Sequence, residues 1–171
     1  MATGRNIQLT KQVGEYLVAA ELCRRGLIAT TFTGNVSDYD IVAISEKGDS
    51  ALIQVKARHR GGSWQISDAR AFLDIKQDGK KQTPGRRKKP KYPNLIYVFV
   101  LLDSYGQDRF FILKAADLHE LIAGEYRKNI KRHRGVRPRR HDSYHHAVKS
   151  DHLEKFEDRW DVINGSLPAT G

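Results

Sequence analysis

Two rhythms of apolar residues divide the chain. Over residues 10–26, TKQVGEYLVAAELCRRG, they recur every three to four positions, which predicts an amphipathic helix. Val13, Leu17, Ala20 and, at the end of the same stripe, Arg24 lie on one side of it, with Tyr16, Ala19 and Cys23 beside them. Thr10 is a candidate N-cap and Gly26 a candidate stop. Beyond it the runs shorten. Residues 27–33 are a short β-rich run. Residues 40–45 and 51–57 predict two strands joined by the turn-like EKGDS. SWQIS at 63–67 predicts a further short strand, and residues 68–77 a helix capped by Ser67 or Asp68. LIYVFVLL at 95–102 is the most apolar run and predicts a strand buried on both faces. Residues 109–114 pair with it across DSYGQD. Helices are predicted over 115–124 and over 151–163, where Leu153, Phe156, Trp160 and Ile163 keep helical spacing. No internal repeat is visible. The order predicts one mixed α/β domain over residues 1–171.

Composition narrows the class. At 39% hydrophobic residues the chain can build a core. The single cysteine, Cys23, excludes a disulfide framework within the chain and suits a reducing cytosol, so the expected location is cytoplasmic. No run approaches the roughly 18 apolar residues of a membrane span, and MATGRNIQLTKQ lacks the apolar core of a signal peptide. The NVS and NGS triplets then read as chance matches to the glycosylation pattern.

The net charge is +10, and its placement matters more than its size. Residues 80–91, KKQTPGRRKKPK, and 127–146, RKNIKRHRGVRPRRHDSYHH, hold fifteen of the 30 basic residues and one of the 20 acidic ones. A slightly acidic body therefore carries two basic loops or arms. Such density suits a polyanion, because each neutralised phosphate releases counterions. Lys80, Lys81, Arg86, Arg87, Lys88, Lys89, Lys91, Arg132, Arg134, Arg137, Arg139 and Arg140 are the candidate nucleic-acid contacts. With few apolar residues to bury, both segments are expected to be loosely packed. Trp64, Tyr92 and Tyr144 lie near basic residues and are candidates for stacking on bases. Trp64 is equally a core candidate, and Trp160 is read as core. His141, His145 and His146, with His133 nearby, match no closed zinc spacing and read as part of the basic segment.

Polar residues interrupt the two central strands. Asp40 opens one, and Gln54 and Lys56 lie two apart on the next, so they share a face. A hairpin of these strands brings a carboxylate, an amide oxygen and an ammonium to one edge. That set suits phosphodiester cleavage: Asp40 and Gln54 offer hard oxygen to a divalent cation, and Lys56 orients or deprotonates water or steadies phosphate charge. Glu15 on the first helix adds a carboxylate, unless it is only a first-turn acid favoured by the helix dipole. Asp38 is the alternative to Asp40, which is preferred because the apolar run starts directly after it.

The pattern Glu15, Asp40 and Gln54-Val55-Lys56 resembles the PD-(D/E)XK nuclease superfamily, close to Holliday-junction resolvases and Mrr-like restriction nucleases. GEYLVAAELCRRG resembles that family's first helix, and DIVAI with ALIQVKAR its catalytic hairpin. Tyr39 stands at the motif's proline, and Gln54 replaces the usual acid. The resemblance implies a restriction-endonuclease-like mixed central sheet flanked by helices. It implies Glu15, Asp40, Gln54 and Lys56 as catalytic residues, the first three holding magnesium or manganese. It also implies double-stranded or branched DNA as substrate and a homodimer, since cutting two strands needs two sites. Two other readings stand beside it. One is a nucleic-acid-binding protein on a degenerate nuclease scaffold, favoured by Gln54. The other is a basic structural protein that binds RNA or a ribonucleoprotein.

Overall fold

The structure, a computed structural model, describes residues 4–32 and 38–164. Thr33 and the NVS triplet lie outside the described residues, as does most of the NGS triplet. A 21-residue helix, α1 (Gly4–Arg24), leads into β1 (Ile28–Thr31), β2 (Ile41–Ile44) and β3 (Ser50–His59). The chain then forms the short β4 (Trp64–Ile66), the hairpin β5 (Leu73–Asp78) and β6 (Lys81–Arg87), and the central β7 (Ile96–Leu102). Next come β8 (Arg109–Lys114), α2 (Ala115–Arg132), β9 (His146–Val148) and a last short helix, α3 (Asp161–Asn164).

Five strands make the central sheet, in the order β1-β2-β3-β7-β8. β3 and β7 run parallel, and the other neighbours run antiparallel. The sheet is therefore mixed, with helices on both faces, as expected. Alternation along β7 assigns the faces. Ile96, Val98, Val100 and Leu102 pack with Val18 and Leu22 of α1. Phe99 and Leu101 pack with Leu118 and Ile122 of α2 and with Trp64. Trp160 closes the α1 side of the core as a buried residue. No described helix is long and apolar enough to cross a membrane.

Several expected elements differ. α1 begins two turns before Thr10, whose hydroxyl bonds back to the Asn6 carbonyl at 2.8 Å instead of capping. Its buried residues are Gly14, Val18 and Leu22, whereas Val13 and Tyr16 are 45% and 57% exposed. The core face is thus a smaller-residue stripe than the one read from the sequence, because the helix must approach β3 closely. A Cβ on Gly14 would meet the Ala57 methyl closer than two carbons can approach. Gly26, in the left-handed region at φ +82°, ends the helix region as expected.

The helix expected over 68–77 is a strand. Asp68 does cap, accepting a hydrogen bond from the Arg70 amide, but only a 3-10 turn over Ala69–Ala71 follows. The chain then extends and turns back at Asp78-Gly79, with Gly79 at φ +51° and Asp78 opposite Lys81. An Asp-Gly pair between β-compatible runs is a strong hairpin signal, and it outweighed the helical period here. α2 runs past Gly124 to Arg132, because Tyr126 and Ile130 continue its buried stripe. The first turns of the second basic segment are therefore helical. The helix expected over 151–163 is two 3-10 turns and α3, broken where Glu157 is extended and Asp158 has φ +51°.

The basic segments are not loosely packed arms. Residues 81–87 are β6, and its Gln82 is 1% exposed. The Gln82 amide N–H donates to the Gly135 carbonyl at 2.8 Å, and its Nε2 donates to the His141 and Ser143 carbonyls at 2.8 and 3.1 Å. The Tyr126 hydroxyl donates to its Oε1 at 2.5 Å. One glutamine stitches the two basic segments to each other and to α2, so what reads as two arms is one surface.

Candidate active site

Pairing of β2 with β3 sets the site. Ile41 lies opposite Ile53, so Asp40 falls opposite Gln54. The Asp40 amide donates to the Ile53 carbonyl at 2.8 Å, and the Val55 amide donates to Asp40 Oδ2 at 2.8 Å. Asp40 is only 7% exposed, and these bonds hold its carboxylate against the strand end. On β3, Ile53 and Val55 face α1. Gln54 and Lys56 alternate with them and lie opposite Tyr97 and Phe99 of β7, on the α2 side. Asp40, Gln54 and Lys56 line a single cavity of about 930 Å³. Thr10, Lys11 and Val13 of α1, Trp64 and Ile66 of β4, and Phe99 complete much of its wall.

Glu15 reaches this cluster through a residue the sequence reading missed. Lys11 Nζ lies 3.3 Å from Asp40 Oδ1 and 3.5 Å from Glu15 Oε1, bridging the two carboxylates. Lys11 precedes Glu15 by one helical turn, and that i, i+4 pairing was the available signal. Burial alone would lower the Lys11 pKa, but the Asp40 and Glu15 carboxylates overrule it and raise it. Burial, aided by Asp40, raises the Glu15 pKa, with Lys11 partly offsetting the shift. Lys56 moves the other way. Burial lowers its pKa, Asp40 opposes the fall, and Lys11 adds to it. The cavity thus holds one lysine kept charged by carboxylates and one eased toward the neutral amine.

The oxygen donors suit a hard divalent cation. Asp40 and Glu15 supply carboxylates and Gln54 an amide oxygen. Lys11 occupies the space between the carboxylates, so its ammonium must swing out for a cation to enter. Among the described residues no cluster of three or more His, Cys, Asp or Glu could hold a metal. Asp38 does not line this cavity: the Tyr92 hydroxyl donates to it at 2.8 Å and Lys91 Nζ is 3.5 Å away.

The other candidates fall into two groups. Lys80, Lys81, Arg86, Arg87, Lys88, Lys89, Lys91, Arg132, Arg134, Arg139 and Arg140 are all exposed. Some are tethered, Arg87 to Glu120 at 3.6 Å and Lys88 to Asp74 at 3.7 Å. Arg137 is half-buried and donates to the His145 carbonyl at 2.8 Å. Trp64 is not a platform for bases. It is 4% exposed, edge-on to Phe99 and Phe111 and covered by Arg58. Arg70 lies over Tyr144 and Lys91 over Tyr92. His141 contacts the Arg137 carbonyl through Nδ1, and His146 is packed beside Tyr126.

Fold and site together define a mixed α/β protein with an acid–amide–lysine cluster lining a cavity on one face of its sheet. No family model matches the chain, and no curated protein matches it in sequence. Among solved structures it is similar to a bacterial homing endonuclease, I-Ssp6803I. The TM-score is 0.41 and the identity 12%, over 66% of this chain and 72% of that one.

Proposed function

We propose that the chain is a metal-dependent DNA endonuclease that hydrolyses phosphodiester bonds in duplex or branched DNA. The observation that carries this reading is the placement of Asp40, Gln54 and Lys56 on one sheet face in one cavity. Magnesium or manganese held by Asp40, Gln54 and Glu15 would polarise the phosphate and favour ionisation of a water. Asp40 Oδ1 is the oxygen free of backbone bonds, since Oδ2 accepts from Val55. Lys56, whose pKa burial lowers, is placed to orient or deprotonate the attacking water or to face the charge that builds on the phosphate oxygens. Trp64, Ile66 and Phe99 supply apolar wall that limits water around the reacting phosphate. The stitched basic surface binds backbone without reading sequence. Cutting both strands takes two sites, which a homodimer supplies.

The test mixes purified protein with supercoiled plasmid and with a four-way junction, in magnesium, manganese or EDTA. Cleavage in either metal and none in EDTA is expected; no cleavage of any DNA in either metal overturns the reading. A second reading has one observation in its favour. Lys11 already offsets one of the two charges of the Glu15–Asp40 pair, as a decayed site retained for nucleic-acid binding would permit. Junction binding without cleavage would select it.

A further inference from the structure

The polar row of β3 continues past Lys56. Arg58 lies two residues on, opposite Leu101 of β7, and so projects to the same side. Its guanidinium carbon lies 4.1 Å from the centroid of the Trp64 ring. Among the described residues it forms no ion pair, and its Nη1 donates to the neighbouring His59 carbonyl at 3.2 Å. Arg58 Nε is buried and has no hydrogen-bond partner, and the same holds for the Trp64 indole nitrogen. Both residues line the cavity that holds Asp40, Gln54 and Lys56. Arg58 also lines a second cavity of about 630 Å³ with Arg60, Arg109 and Lys149. Arg60 and Arg109 are already committed there, to Asp103 at 2.7 Å and Glu157 at 2.6 Å.

Indole N–H and guanidinium Nε–H are donors only, so what both lack is an acceptor. A buried donor left unpaired costs on the order of 1–3 kcal/mol. Two such residues lining one cavity, one of them a guanidinium with no counter-ion among the described residues, call for an anionic oxygen ligand. Spacing identifies which one. Two residues of strand advance about 6.7 Å, comparable to the separation of successive phosphates on an extended nucleic-acid strand. We propose that Arg58 and Trp64 form a phosphate subsite for the neighbour of the phosphate presented to Lys56. The inference rests on the reading of this cavity as one that handles a phosphodiester backbone. It gives the bound strand a direction, from Gln54 and Lys56 across Arg58 toward the Lys149 cavity. The contacts reach phosphate oxygens and not base edges, so the subsite is indifferent to sequence.

The test measures binding of the four-way junction in EDTA, where metal-dependent chemistry is absent. Neutral methylphosphonates replace single phosphates, one position at a time, along one strand. Arg58→Met keeps an aliphatic side chain over Trp64 but removes the guanidinium, and Trp64→Phe keeps a ring but removes the N–H. Thermal unfolding confirms that each variant is folded. In the wild type, one methylphosphonate position should weaken binding about tenfold. Arg58→Met should lose about the same factor on unmodified DNA and be insensitive to the substitution at that position. Trp64→Phe should lose a smaller factor there. If folded Arg58→Met binds like wild type, or its loss is the same with every methylphosphonate, the subsite is overturned. Wild-type cleavage in magnesium would then leave the nuclease reading standing. Coupling at one position without any cleavage upholds the subsite and removes the nuclease reading. A wild type that binds no DNA overturns both.

Discussion

Asp40 does two things with two oxygens. Oδ2 accepts the Val55 amide, and Oδ1 faces Lys11 and the cavity. Asp40→Ala therefore strips a buried N–H of its partner and should cost on the order of 1–3 kcal/mol of stability, confusing any activity loss. Asp40→Asn keeps an acceptor and removes the charge. It should abolish metal-dependent cleavage while urea unfolding stays within about 1 kcal/mol of wild type. Stability lost alone, with cleavage intact, would make Asp40 a structural cap on β3. Lys11 gives the converse test. Its ammonium competes with a cation for the same carboxylates, so Lys11→Met should tighten magnesium binding about tenfold by calorimetry. Weaker binding in that variant would mean that Lys11 organises the carboxylates instead of competing for them.

Among elements, the contact of α1 with β3 is the tightest in its demands. Gly14 lies against the Ala57 methyl, and Lys11 and Glu15 flank it on the same helix. Gly14→Ala should gain about 1 kcal/mol of helix propensity and lose about 1–3 kcal/mol to overpacking. Displacing α1 would also pull Lys11 and Glu15 from Asp40, so cleavage should fall more than stability. Urea unfolding and a cleavage rate, measured together, check this. The strands carrying the site were legible because their signals are local: an apolar run, a turn, then alternation. Asp40, Gln54 and Lys56 could thus be placed on one face from spacing alone. Lys11 was not legible as a partner, since its contact with Asp40 depends on where α1 docks. Neither were Arg58 and Trp64, whose stacking joins β3 to β4. The buried face of α1 was misread in part: Leu17 and Ala19 do pack against the core, but Gly14, invisible to a hydrophobic pattern, is buried while Val13 and Tyr16 are exposed. The 68–77 segment was misread because helical period and hairpin turn competed, and pairing with β6 decided it.

For the whole molecule, charge and burial set how it responds to solution conditions. Neutralising Arg86, Arg87, Lys88 and Lys89 together should weaken DNA binding on all sequences and flatten its salt dependence. An unchanged salt slope would show that this part of the basic surface does not meet phosphate. His146 governs an acid response. Burial, with His152 adding to it and Glu125 opposing it, pushes its pKa from 6.5 to about 4. The unfolded chain therefore takes up this proton before the folded one does. Stability from this group is present above pH 6.5 and lost as pH falls toward 4. His146→Gln should flatten that part of the curve in urea unfolding at pH 7.5, 6 and 4.5; an unchanged slope would assign the acid response to other groups. The single parallel pairing of the central sheet has a consequence in time. Asp40, Gln54 and Lys56 lie on a hairpin that closes locally, whereas β7 joins β3 only after the intervening β4, β5 and β6 have been made. Local pairings form early and distant ones late. During synthesis these three residues can therefore pair before Phe99 and the rest of the cavity wall exist. On the proposed reading, a chain still leaving the ribosome, surrounded by RNA, would carry Asp40, Gln54 and Lys56 without the enclosure that completes their cavity.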